Sequence, residues 1–89
     1  MRINDDFIRD NVEGQCVLIS VGGSGDYANG IFTLNEIGER IVDLLEEGRE
    51  TEKIVDVLLD EYEAERPILH KYVDDFIKEL RGYGIVVDD

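Results

Sequence analysis

The sequence predicts an α+β, winged-helix-like domain, with a three-stranded antiparallel sheet followed by three helices. Residues 7–34 hold short strand-type runs punctuated by glycine, whereas the chain after Asn35 holds apolar positions at helical spacing with acids and bases between them. The change falls at Asn29-Gly30-Ile31-Phe32-Thr33-Leu34-Asn35, a β-branched and aromatic run that ends on a residue suited to cap a helix.

In chain order, Phe7–Val12 is the first strand candidate and Glu13-Gly14 its turn. Cys16-Val17-Leu18-Ile19-Ser20-Val21 is an unbroken β-branched-rich run bounded by glycine on both sides, of the length expected for a central strand. Gly22–Asp26 reads as a loop and Asn29-Gly30 as the turn into the third strand, which completes a meander. Helix one starts at Asn35; Ile37, Ile41, Leu44 and Leu45 share one face, and Gly48 supplies a left-handed end. Thr51 is the expected cap of helix two, where Ile54, Val55, Leu58, Leu59 and Tyr62 oppose an acidic face. Pro67 fits the first turn of helix three, whose inner face is read as Leu69, Tyr72, Val73, Phe76, Ile77 and Leu80. Gly82 and Gly84 close that helix, and Ile85-Val86-Val87 packs back or adds a short strand.

These elements form a single domain over residues 1–89, long enough to bury roughly 60–65% of its unfolded surface. Apolar residues make up 43% and charged residues 35%, so a thin core lies under a solvated surface. Nine basic against 22 acidic residues give a net charge of −13, which repels phosphate backbones and anionic membranes. One cysteine allows no internal disulfide, residues 1–6 lack a signal-peptide core, and no apolar run approaches the roughly 20 residues of a membrane span. The expectation is a soluble cytoplasmic domain.

Candidate chemistry is sparse. Gly23-Ser24-Gly25-Asp26-Tyr27-Ala28 has the letters of a dinucleotide fingerprint, but a turn and a strand follow where a helix is required, so it reads as a loop. Cys16 lies in the most apolar strand with no base near it and reads as a small core residue. His70 is the only histidine, which excludes a His–Cys zinc cluster and a conventional triad, and it is placed on the outer side of helix three. The carboxylates lack calcium-loop spacing. Lys71, Lys78 and Arg81 interrupt the acidic surface; Lys71–Asp75 and Asp74–Lys78 suit i, i+4 pairing, and the alternative is a polar rim for a peptide groove. No metal, cofactor or catalysis is expected.

The order of motifs carries more than any one of them. Phe7-Ile8-Arg9-x-x-Val12-x-Gly14, the strand from Cys16, and Asn29-Gly30-Ile31-Phe32-Thr33-Leu34-Asn35-Glu36-x-Gly38 follow one another. Ile41-x-x-Leu44-Leu45-x-x-Gly48, Thr51-x-x-Ile54-x-x-x-Leu58-x-x-x-Tyr62 and Val73-x-x-Phe76-Ile77-x-x-Leu80-x-x-x-Gly84-Ile85 come next. Over nearly its whole length the chain resembles the PqqD family of pyrroloquinoline quinone biosynthesis and the related recognition domains of ribosomally made, modified peptides. The resemblance implies a non-catalytic adaptor. Such an adaptor binds the leader of a precursor peptide as an added strand and presents it to a modifying enzyme, commonly a radical S-adenosylmethionine enzyme. It further implies a binding edge at Gly30, Ile31, Phe32, Thr33 and Leu34, and a cleft wall including Val73, Asp74, Ile77 and Arg81. Two positions depart from the family pattern: Val42 stands in place of a common tryptophan, and Tyr72 in place of a frequent aspartate. The rival readings are a winged-helix DNA-binding regulator, which the acidic charge opposes, and a scaffold that holds only protein partners.

Overall fold

A computed structural model describes residues 1–21 and 31–88. The Gly22–Asp26 loop, the fingerprint-like stretch, and the Asn29-Gly30 turn with Gly30 of the predicted edge lie outside the described residues. The elements are β1 (Arg2–Ile3), β2 (Phe7–Val12), β3 (Gln15–Ser20), β4 (Ile31–Leu34), α1 (Glu36–Glu46), α2 (Thr51–Glu61), α3 (Arg66–Gly82) and β5 (Val86–Val87). The expected α+β architecture is present, with the antiparallel sheet ordered β2-β3-β4 and three helices after it. Residues 85–87 take the second of their two expected courses. Val86–Val87 adds a strand, paired antiparallel with β1 through Arg2↔Val87 and Ile3↔Val86.

Local chemistry sets the element ends. Glu13 and Gly14 both have positive φ, 53° and 84°, the geometry of a two-residue hairpin turn whose twist matches the flanking strands. Asn11 Oδ1 steadies that turn by accepting from the Gly14 N–H at 3.0 Å. Asn35 caps α1 as expected, its Oδ1 accepting from the Gly38 N–H at 2.7 Å. Gly48, at φ 85°, ends α1 in a paired closing motif: its own N–H reaches Leu45 O at 3.0 Å and the Arg49 N–H reaches Leu44 O at 3.1 Å. Gly84 repeats the device after α3, with bonds to Arg81 O and from Ile85 to Leu80 O. The expected Thr51 cap is displaced by one residue. Glu50 takes the cap position, because its carbonyl already accepts from Ile54, and Thr51 becomes the first helical residue. Pro67 sits in the first turn of α3, where its missing N–H is no loss.

The core lies between one sheet face and the three helices. Leu18, Ile41, Leu44, Leu45, Ile54, Leu58, Leu80 and Ile85 are fully buried in one cluster with Val42, Val55, Val73 and Val86. Ion pairs bridge the elements: Arg9 of β2 with Asp43 and Glu46 of α1, Arg40 of α1 with Glu61 of α2, and Arg66 of α3 with Glu52 and Asp56 of α2. His70 is on the outside of α3 as expected, 2.8 Å from Glu52. Lys71–Asp75 and Lys78–Asp74 pair at 2.9 and 3.0 Å, the two i, i+4 contacts the spacing suggested. No helix among the described residues is long and apolar enough to cross a membrane.

Candidate functional site

β4 is an outer strand of the sheet, and its register decides which of its backbone groups are free. Residues flanking a two-residue turn exchange both ladder bonds, so Val12 and Gln15 form such a pair and the pattern alternates from there. Cys16 and Leu18 therefore turn their N–H and C=O groups toward β4, where they face Leu34 and Phe32. The same groups of Ile31 and Thr33 point to the open side. Among the described residues no turn, loop or cap bond reaches them. An unpaired strand edge of this kind is a template for another extended chain.

A groove of about 340 Å³ runs between this edge and α3. Its β4 side is Phe32, Thr33 and Leu34, with Gln15 and Asn35 together at one end; its α3 side is Tyr72, Phe76 and Glu79, spaced i, i+4, i+7 on one helix flank. Phe32 packs edge-on against Phe76, 6.3 Å between ring centroids, and against Tyr83 at 5.3 Å. Tyr72 stacks on Phe76 at 6.4 Å. Asn35 ties the strand end to this wall, its Nδ2 3.4 Å from Tyr72 Oη. Gly38 matters here as well. A Cβ on it would lie 3.0 Å from both the Phe76 ring and Asn35 Oδ1, so its absence lets Phe76 rest against the first turn of α1.

The groove wall differs from the expected one. Val73 and Ile77 are 0% and 5% exposed and belong to the core, behind the groove. Asp74 is held by Lys78, and Arg81 Nη1 is 2.8 Å from Asp88 Oδ2 near the C-terminal end. At about 100° per residue, Asp74 and Arg81 fall on the side of α3 roughly opposite Tyr72. The inner face read as one stripe is two: aliphatic Leu69, Val73, Ile77 and Leu80 face the core, and aromatic Tyr72, Phe76 and Tyr83 face β4. Tyr72, Phe76 and Glu79 are thus the wall that the sequence reading did not assign. The signal for them was the aromatic spacing 72, 76, 83.

Elsewhere the chemistry is muted. Burial pushes the Cys16 thiol up to about 11, and Glu39 beside it adds to the shift, so at neutral pH it is no nucleophile. Among the described residues no group of three or more His, Cys, Asp or Glu side chains could hold a metal ion. A larger hollow of about 520 Å³ lies between the N-terminal residues Met1–Phe7 and the end of α1. Its walls are mainly polar, with Phe7 and the two-residue strand β1 among them, whereas the β4 groove sets three aromatic rings beside a four-residue strand edge.

An open strand edge beside an aromatic helix flank defines a small α+β domain built to receive an extended chain. The family model described as Coenzyme PQQ synthesis protein D (PqqD) matches residues 15–86, and the chain belongs to that family. Its fold is similar to a solved chain described as "TbiB1 in Complex with the TbiA(beta) Leader Peptide", with 30% identity, a TM-score of 0.82, and coverage of 99% of this chain and 100% of that one. It is also similar in fold to "Lasso peptide synthetase B1 complexed with the leader peptide", at 20% identity, a TM-score of 0.84, and coverage of 98% and 96%. No curated protein matches the sequence.

Proposed function

We propose that this protein is a non-catalytic, cytoplasmic adaptor. It captures the leader segment of a ribosomally made precursor peptide and presents it to a modifying enzyme of the radical S-adenosylmethionine type. The observation that carries the reading is the edge of β4, with the backbone groups of Ile31 and Thr33 directed outward beside an aromatic groove. Backbone pairing supplies sequence-tolerant affinity, and the groove supplies side-chain selectivity. Membership of the family supports the reading, as does the leader peptide bound in the solved relative of 30% identity. The leader contacts are assigned to Ile31–Leu34 with Tyr72 and Phe76. Val73 and Ile77 act behind them as support, and Asp74 and Arg81 lie away from the peptide.

The test is a titration of ¹⁵N-labelled protein with synthetic peptides from short reading frames encoded beside its gene. A leader should shift the amides of β4 and of the Tyr72–Glu79 flank, and should slow hydrogen exchange at Ile31 and Thr33. Binding that leaves β4 unmoved, or no binding by any such peptide, refutes the proposal.

A further inference from the structure

Six charged residues of α3 have ionic partners, within the helix or on neighbouring elements, and His70 lies against a carboxylate of α2. Arg66 pairs with Glu52 and Asp56, His70 with Glu52, Lys71 with Asp75, Lys78 with Asp74, and Arg81 with Asp88. Glu79 is the remaining one. Among the described residues no ion pair or side-chain hydrogen bond to its carboxylate is found, and it is the single charged side chain lining the groove. No lysine or arginine of the chain lines that groove to neutralise it. An unshared negative charge beside an apolar platform is a selectivity element, because it favours a cation and repels an acid near one position of the bound chain.

We infer that Glu79 selects a leader carrying a lysine or arginine two residues from the apolar side chain that occupies the Tyr72–Phe76 platform. This rests on the proposed leader binding at β4. The spacing follows from geometry. From the middle of the Tyr72–Phe76 pair to Glu79 is about five helical residues, or ~7.5 Å along the axis. A strand rises about 3.3 Å per residue, so that distance is covered in about two residues, and residues i and i+2 point to the same face. An anchor in the platform therefore places the side chain two positions away, on the same face of the peptide, beside the Glu79 carboxylate.

The probe is a displayed library of random 12-residue peptides selected on the full 89-residue chain, in parallel with Thr33→Pro, Glu79→Gln and Glu79→Lys. The expected result is enrichment that Thr33→Pro abolishes, with an apolar residue and Lys or Arg at i, i+2. For one such enriched peptide made synthetically, Glu79→Gln should weaken binding about threefold to fivefold at low salt, and less at high salt. Glu79→Lys should weaken it further, and exchanging the peptide's cation for Glu should restore binding to that variant. Enriched peptides that need Thr33 but show no cation preference, or no charge-swap rescue, overturn this inference and leave leader binding intact. Enrichment indifferent to Thr33→Pro, or no enrichment, overturns both.

Discussion

Proline substitution along β4 separates the two roles of its backbone. Phe32 directs its N–H toward Leu18 of β3, whereas Thr33 directs its own to the open edge. Proline at 32 carries the fixed-φ cost of ~1 kcal/mol, and by removing a ladder donor it strands the Leu18 carbonyl at ~1–3 kcal/mol. It also removes a half-buried ring packed on Phe76 and Tyr83, worth about 2 kcal/mol when the usual cost of deleting a fully buried Phe is scaled for exposure. The sum of ~4–6 kcal/mol is comparable with the whole stability of a domain this size, about 4–13 kcal/mol. Proline at 33 loses no ladder bond and an exposed side chain, so only the fixed φ is charged against it, ~1 kcal/mol.

Urea unfolding followed by circular dichroism, with Phe32→Ala to isolate the side-chain part, measures both. Thr33→Pro should unfold within about 1 M of the parent, and Phe32→Pro at least 2 M earlier or not fold at all. On the folded Thr33→Pro variant, leader affinity should fall tenfold or more, since one inter-chain bond is lost and its partner carbonyl is left dry. Equal destabilisation at 32 and 33, or the reverse order, refutes the assignment of which groups face outward. A stable Thr33→Pro variant with full affinity refutes strand addition at this edge.

Ile77→Ala should cost about 2–5 kcal/mol of stability while the folded fraction keeps its leader affinity, whereas Phe76→Ala should lose affinity in greater proportion; paired denaturation and anisotropy measurements distinguish them. Gly38→Ala would gain about 1 kcal/mol from helix propensity alone, but its new methyl meets Phe76 and Asn35 Oδ1 at 3.0 Å. The expected outcome is no rise in the urea midpoint and weaker leader binding, and a full 1 kcal/mol gain would contradict the contact. Burial raises the Cys16 thiol from 9.0 to about 11. The stability this lends is complete below pH 9 and disappears as pH rises through about 11. Thiol labelling at pH 8 should accordingly be slow in the folded protein and fast in urea, and equal rates would place Cys16 at the surface.

The fold was legible because its signals are local. The apolar run at Cys16, the Asn35 cap, the Gly48 and Gly84 helix ends and the helical periodicity each act within a few residues, and each appears where expected. The Thr51 cap missed by one residue because a helix start is fixed by which carbonyl takes the first bond, here that of Glu50, and not by side-chain preference alone. The edge of β4 was legible as a strand, yet which of its residues face outward depends on the turn at Glu13-Gly14, some twenty positions earlier in the chain. The groove wall was the least legible part. A helix seen alone offers one broad apolar arc, and periodicity cannot divide that arc between a core and a neighbouring strand. In α3 the division is chemical: aliphatic residues take the side that must be filled without voids, and aromatic residues take the side where a ring can be half-exposed and still pack on Phe32.

The same logic accounts for the charge distribution. With 22 acids and nine bases, cations are scarce, and four arginines stand at junctions between elements. Arg9 joins β2 to α1, Arg40 joins α1 to α2, Arg66 joins α3 to α2, and Arg81 joins α3 to the residue after β5. Exposed pairs of this kind add little stability individually. Their placement nonetheless fixes where the surplus of negative charge remains uncompensated. At the β4 groove no basic side chain is supplied, so the field felt by an incoming peptide is that of Glu79 added to the acidic whole. Under the proposed leader binding, a leader with net positive charge near its anchor should be drawn toward this edge before any backbone bond forms. Its association rate should fall as salt rises, while the backbone contacts that govern its departure change little.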